Sequence, residues 1–211
     1  MSAPKQLHAD LGFIHRFIPG KSAEAPTLLV LHGTGGDETD LLSLAKMIDR
    51  NAAILSPRGK VLENGMPRFF RRLAEGVFDI ADLKFRTAEL AEFVSTASKV
   101  YGFDPSSVIA LGYSNGANIG ASLLLLKPDT ISRALLFRAM LPLKPDHTPR
   151  LTGKKVFISA GRMDAMIPRE GTVALQELLE KAGAQVTLNW VESTHSLIRP
   201  EIEQAKVWLH E

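Results

Sequence analysis

A buried strand, a serine flanked by glycines and a helix, following one another without a break, leave a chain few ways to fold. Residues 108–126 carry that order. Val108-Ile-Ala-Leu is a short apolar run behind Asp104-Pro105, and Ala117 to Leu126 is rich in Ala and Leu. Between them stands Gly112-Tyr113-Ser114-Asn115-Gly116, a G-x-S-x-G pattern. A turn this tight strains the serine's backbone, and a glycine two residues to either side lets strand and helix approach with no Cβ in the way. Such a turn lifts the serine hydroxyl over the positive end of the following helix, where a developing oxyanion is favoured. The bland reading is a packing turn, so the rest of the chain has to decide.

It supplies strands and helices in alternation. Gly12 to Ile18 reads as an edge strand, and Thr27 to His32 as a central strand buried on both faces. Asp37 offers a helix N-cap ahead of Leu41, Leu44, Ala45 and Ile48. Ala52 to Ser56 is a third strand. Arg58 to Ile80, with Gly65, Pro67 and Arg68-Phe69-Phe70-Arg71-Arg72, shows no period and reads as a long functional loop. A helix is predicted over Asp82–Tyr101 with Gly102 at its C-cap, then strands at Ala134–Phe137, Lys155–Ser159 and Val186–Val191. Helices are predicted over Glu170–Ala182 and from about Pro200. Alternation of this kind predicts an α/β fold, a mainly parallel sheet covered by helices on both faces, with ligands bound at the strands' C-terminal ends. No repeat or second core interrupts it, so residues 1–211 are expected to form a single domain.

Three loops follow strands and therefore open onto one rim. They carry Ser114, Asp164 and His195, in the chain order Ser, Asp, His. A serine hydroxyl needs a base, the role expected of His195, and Asp164 is placed to fix the imidazole's tautomer. Alone, a loop aspartate is more often a cap and a loop histidine more often surface or core filler. Their order and their common position after strands favour a catalytic triad. His32 is the alternative base if His195 is not the one.

An oxyanion hole needs two converging backbone N–H groups. Asn115, directly after the nucleophile, is one. The other is expected from His32-Gly33-Thr34-Gly35-Gly36, with Thr34 the chosen donor and Gly35 the alternative. The same glycines could suggest a phosphate cradle, but G-x-G-G is not the dinucleotide spacing and no P-loop lysine follows.

With these parts in place the chain resembles the small α/β-hydrolases of the phospholipase/carboxylesterase family, akin to acyl-protein thioesterases and dienelactone hydrolases. The resemblance rests on Leu31-His-Gly-Thr-Gly-Gly-Asp37, Ser56-Pro-Arg-Gly59, Pro67-Arg-Phe-Phe-Arg71, Gly112–Gly116, Gly161-Arg-Met-Asp164 with Pro168, and the late His195. It spans nearly the whole chain and implies an α/β-hydrolase fold acting as a serine esterase without a cofactor. Two departures stand out. Ser193-Thr194 precede His195 where the family presents Gly-His, and the cysteine nucleophile of dienelactone hydrolases has no counterpart here.

Composition narrows the classes further. The 211 residues are 45% hydrophobic, and 25 basic against 23 acidic side chains give a net charge of +2, which offers nothing to nucleic acid. No cysteine is present, which removes disulfides, thiolate chemistry and Cys-based metal sites; no metal is expected. Met1 to Asp10 holds no apolar signal-like run and nothing reaches membrane-spanning length, so a cytoplasmic protein without membrane contact is expected. The α/β core uses nearly all of the chain and leaves no room for a cap domain. The acyl pocket must then come from 58–80, 140–149 and 163–168, with Phe70, Met140 and Ile167 the leading candidates and Met66, Phe69, Met163 and Met166 beside them. Arg68, Arg71 and Arg72 beside the phenylalanines could meet an anionic substrate, but two or three of them are expected in solvent. The expected partner is a small-molecule ester of short to medium acyl chain. Lysophospholipase or protein deacylase action, a small-molecule binder with a vestigial triad, and a homodimer stand as alternatives.

Overall fold

Thr27–Leu31 (β2) shows why the sheet is covered twice. Leu29 and Leu31 enter one apolar cluster while Leu28 and Val30 enter another, as side chains alternating across a strand must. The computed structural model describes residues 11–211; the reading of Met1–Asp10 lies outside them. Its other elements, in chain order with β2, are β1 His15–Ile18, α1 Leu42–Ile48, β3 Ala53–Pro57, β4 Val61–Glu63, β5 Met66–Arg68, β6 Arg72–Ala74 and β7 Val77–Phe78. They continue with α2 Ile80–Tyr101, β8 Val108–Tyr113, α3 Asn115–Leu126, β9 Arg133–Phe137, β10 Lys155–Gly161, α4 Arg169–Lys181, β11 Gln185–Val191 and α5 Arg199–Leu209.

Seven strands form one sheet in the order β1-β3-β2-β8-β9-β10-β11. All neighbours are parallel except β1, which joins β3 antiparallel at the edge. One face is covered by Leu90, Phe93 and Val94 of α2, by α3, and by Leu175 and Leu179 of α4. The other is covered by Leu44, Ala45 and Ile48 of α1 with Ala205 and Leu209 of α5. Each large apolar side chain buried this way contributes about 1.5–3 kcal/mol. This is the α/β-hydrolase arrangement, and the described residues hold no separate cap domain.

Two expectations need correction. Asp37 caps no helix: its Oδ1 accepts from Thr39 N at 2.7 Å and Thr39 Oγ1 at 2.6 Å, closing a local turn, and α1 begins five residues later without a side-chain cap. Nor is 58–80 irregular, because it folds into two hairpins, β4–β5 and β6–β7. The first turns at Asn64-Gly65, both with positive φ (51° and 79°), the pair that a two-residue type I′ turn requires. Strands of two or three residues are too short to show a period, which is why no alternation was visible.

Candidate active site

Ser114 sits at the end of β8 with φ 54° and ψ −116°, strained for a residue with a Cβ. Its amide donates to Phe137 O on β9 at 2.9 Å, so the neighbouring strand holds the turn. Contacts explain the two glycines. A Cβ at Gly116 would lie 2.0 Å from Leu31 O, and one at Gly112 would lie 2.6 Å from Gly116 O. Neither backbone can retreat without separating α3 from the sheet.

The loops after β10 and β11 bring Asp164 and His195 to this turn. His195 Nε2 lies 2.9 Å from Ser114 Oγ, and His195 Nδ1 lies 2.8 Å from Asp164 Oδ2. A carboxylate can only accept, so the ring proton sits on Nδ1 and Nε2 is left to accept from the serine. Asp164 is held in turn: Oδ1 accepts from Met166 N at 2.9 Å and Ile167 N at 3.2 Å, and its side chain is 1% exposed. The arrangement can relay a proton between a serine oxygen and a bound group at the rim.

His32 is not a rival base. Its Nδ1–H donates to Gly33 O at 2.6 Å and its Nε2 accepts from Gly59 N at 2.9 Å, so both nitrogens are spent on backbone. Burial pushes its pKa below the ordinary histidine value. The ring ties the 32–36 loop to the 57–59 turn.

Between Thr34 and Gly35 the structure separates two amides. Gly35 N–H donates to Pro67 O at 2.9 Å, whereas the Thr34 amide has no acceptor among the described residues. The Thr34 side chain is fixed by Arg68, whose Nη1 donates to Thr34 Oγ1 at 2.6 Å. Asn115 opens α3, where a first-turn amide lacks an intrahelical partner, and its Oδ1 accepts from Phe69 N at 2.8 Å.

Ser114 opens onto a narrow recess with a cavity volume of about 40 Å³, lined by Thr34, Phe78, Asn115, Asn118, Met140, Met166 and Ile167, with Arg68, Arg72 and Glu75 also in its wall. Met140 and Ile167, candidates for the acyl pocket, both line this recess. Phe70 is not: it is fully buried, its ring edge-on to Phe78 at 5.1 Å, and Phe78 is the aromatic that reaches the recess. Phe69 is buried as well, and Met163 points to solvent at 58% exposure. Arg68, expected in water, is buried and pairs with Glu63 at 3.1 Å. Arg72 shares the same carboxylate at 2.8 Å, and Arg71 alone is solvated, bound to Asp79. Burial lowers the Arg68 pKa, with Arg72 adding to the effect.

Three residues around Ser114, Asp164 and His195 escaped the sequence reading: Tyr113, Arg138 and Glu201. Tyr113 Oη donates to His195 O at 3.0 Å. Arg138 and Glu201 form a wholly buried pair beneath the histidine loop. The one local signal was an arginine inside an otherwise apolar run, Leu135-Leu-Phe-Arg-Ala-Met140.

Comparison with known proteins gives the family. The sequence profile of the phospholipase/carboxylesterase family matches residues 14–211. The Bacillus subtilis (strain 168) protein MhqD, named as a hydrolase, is 47% identical over 191 residues, covering 90% of this chain and 96% of that one. The crystal structure of a Bacillus cereus carboxylesterase is similar at a TM-score of 0.92 and 50% identity, covering 94% of this chain and 93% of the other. A carboxylesterase from Mesorhizobium loti gives a TM-score of 0.89 at 34% identity over 97% of each chain. The chain belongs to the phospholipase/carboxylesterase family.

Proposed function

We propose that the protein is a serine carboxylesterase that hydrolyses short- to medium-chain carboxylic esters or thioesters through an acyl-enzyme, as one catalytic domain without a cofactor. The observation that carries this reading is the hydrogen-bonded chain from Ser114 Oγ through His195 to Asp164, at 2.9 and 2.8 Å. Ser114 Oγ attacks the acyl carbon while its proton passes to His195 Nε2. The carbonyl oxygen, now an oxyanion, accepts from the Thr34 and Asn115 amides. Collapse expels the alcohol or thiol, which takes the proton from His195. Water then attacks the acyl-serine with His195 again as base, and the carboxylic acid leaves. Asp164 keeps Nε2 the accepting nitrogen and stabilises the imidazolium.

The small volume of the recess supports a short acyl group over a lysophospholipid or lipidated protein, and its wall sets Arg68, Arg72 and Glu75 beside the apolar side chains. No helix among the described residues is long and apolar enough to cross a membrane, and a cytoplasmic esterase accords with that. A fluorophosphonate probe tests the assignment. The wild type should be labelled and should hydrolyse p-nitrophenyl acetate or butyrate, and Ser114→Ala should lose both, the rate by about 10⁴-fold or more, with its fold intact. Ser114→Ala hydrolysing these esters at the wild-type rate would end this reading.

A further inference from the structure

His195 stands in a loop whose three consecutive carbonyls are all held. Tyr113 takes the middle one, His195 O. The flanking two, Thr194 O and Ser196 O, accept from one guanidinium: Arg138 Nε at 3.0 Å and Arg138 Nη2 at 2.6 Å. The remaining N–H groups of Arg138 go to Glu201, at 2.7 Å on each carboxylate oxygen, and to Ser159 O at 3.3 Å. All five guanidinium donors are therefore used, in a side chain with no exposure.

The same Arg138 Nε lies 3.9 Å from Asp164 Oδ2, the oxygen that receives His195 Nδ1–H. One side chain thus touches the backbone on both sides of the base and faces the carboxylate that orients it. Its own backbone is constrained as well. Arg138 has φ 59°, a conformation that residues with a Cβ seldom adopt, and its amide donates to Ser159 O at 2.8 Å. Glu201 is the counterpart, accepting also from Ile198 N at 2.8 Å and from Ser159 Oγ. Its charge offsets that of Arg138, which would otherwise compete with His195 for Asp164.

A packing pair alone would not require this pattern, because a buried ion pair is weak evidence for stability and an apolar pair of similar volume often serves as well. We infer that Arg138, neutralised by Glu201, is the positioning residue that sets the His195 imidazole between Asp164 and Ser114. The preceding pair Ser193-Thr194 fits this role, since the loop is fixed through its carbonyls. The inference rests on the serine-esterase reading for its kinetic arm but not for its spectroscopic one.

Two variants test it. Arg138→Lys keeps the charge and loses the fork that spans Thr194 O and Ser196 O. Arg138→Met with Glu201→Leu removes both charges, so that neither is left buried and unpaired. Both should lower kcat for p-nitrophenyl acetate by about tenfold to a hundredfold, the range for a reacting group displaced by about 1 Å, with KM little changed. In the same samples, the downfield proton resonance of His195 Nδ1–H, expected in the wild type, should broaden or vanish. Whichever variant folds, a wild-type kcat with an unaltered Nδ1–H resonance would overturn the inference. A failure of the esterase reading would look different: the wild type itself would be inert and unlabelled while the resonance still responded to Arg138→Lys.

Discussion

Tyr113 Oη donates to the main-chain carbonyl of His195 at 3.0 Å, so the residue before Ser114 holds the loop of the proposed base. Its ring also lies 5.3 Å from the imidazole, and burial raises its pKa above the ordinary tyrosine value, so the hydroxyl keeps its proton in neutral solution. Tyr113→Phe deletes one hydrogen bond and little volume. One such bond contributes about 0.5–1.5 kcal/mol, so kcat should fall by about two- to tenfold with KM unchanged. Steady-state kinetics on p-nitrophenyl butyrate reads this directly, and an undiminished kcat would show that the contact is idle.

Phe70 and Ile167 should separate stability from specificity. Phe70 is fully buried against Phe78, so Phe70→Ala should cost about 3–5 kcal/mol in chemical denaturation and mostly affect folding. Ile167 is half-buried at the recess. Ile167→Ala should change the melting temperature little and raise kcat/KM for hexanoate relative to acetate esters. If the acyl preference moves with Phe70→Ala rather than Ile167→Ala, the recess is not the acyl site.

Stability should decline on acidification, and His32 is one named cause. Its folded pKa is pushed below the unfolded value of about 6.5 by burial. Above pH 6.5 the ring is neutral in both states and costs nothing. As pH falls through 6.5 the unfolded chain binds a proton that the native chain refuses, so stability drops until the lowered folded pKa is reached. NMR titration of the His32 ring in the native protein checks this; a midpoint at or above 6.5 would refute the assignment.

Arg68 braces the loop that carries the proposed oxyanion donor. Arg68→Leu removes its bond to Thr34 Oγ1, while Glu63 keeps Arg72 as a partner. Hydrogen bonds to charged groups contribute about 1.5–3 kcal/mol, so a fall in kcat of about tenfold or more is expected with the fold retained. Turnover equal to wild type would mean that the Thr34 amide is held by the backbone alone.

Some of this was written in the chain itself. The glycines around Ser114 encode a close approach that any strand–turn–helix of this kind needs, and the alternation of apolar runs encodes a doubly covered parallel sheet. These are preferences of dihedral angle and period, set by residues a few positions apart. The chain order of Ser114, Asp164 and His195 was legible because each follows its own strand. Tertiary structure decided the rest. Thr34 and Gly35 look alike in sequence, and Pro67 separates them by occupying one amide. Phe70 precedes the β6–β7 hairpin and Phe78 ends it, and the way that hairpin folds back buries the one ring and brings the other to the recess. Arg138 and Glu201 are 63 residues apart, on β9's end and on α5. Only the order of strands in the sheet brings them under the histidine loop, and no local preference records that order.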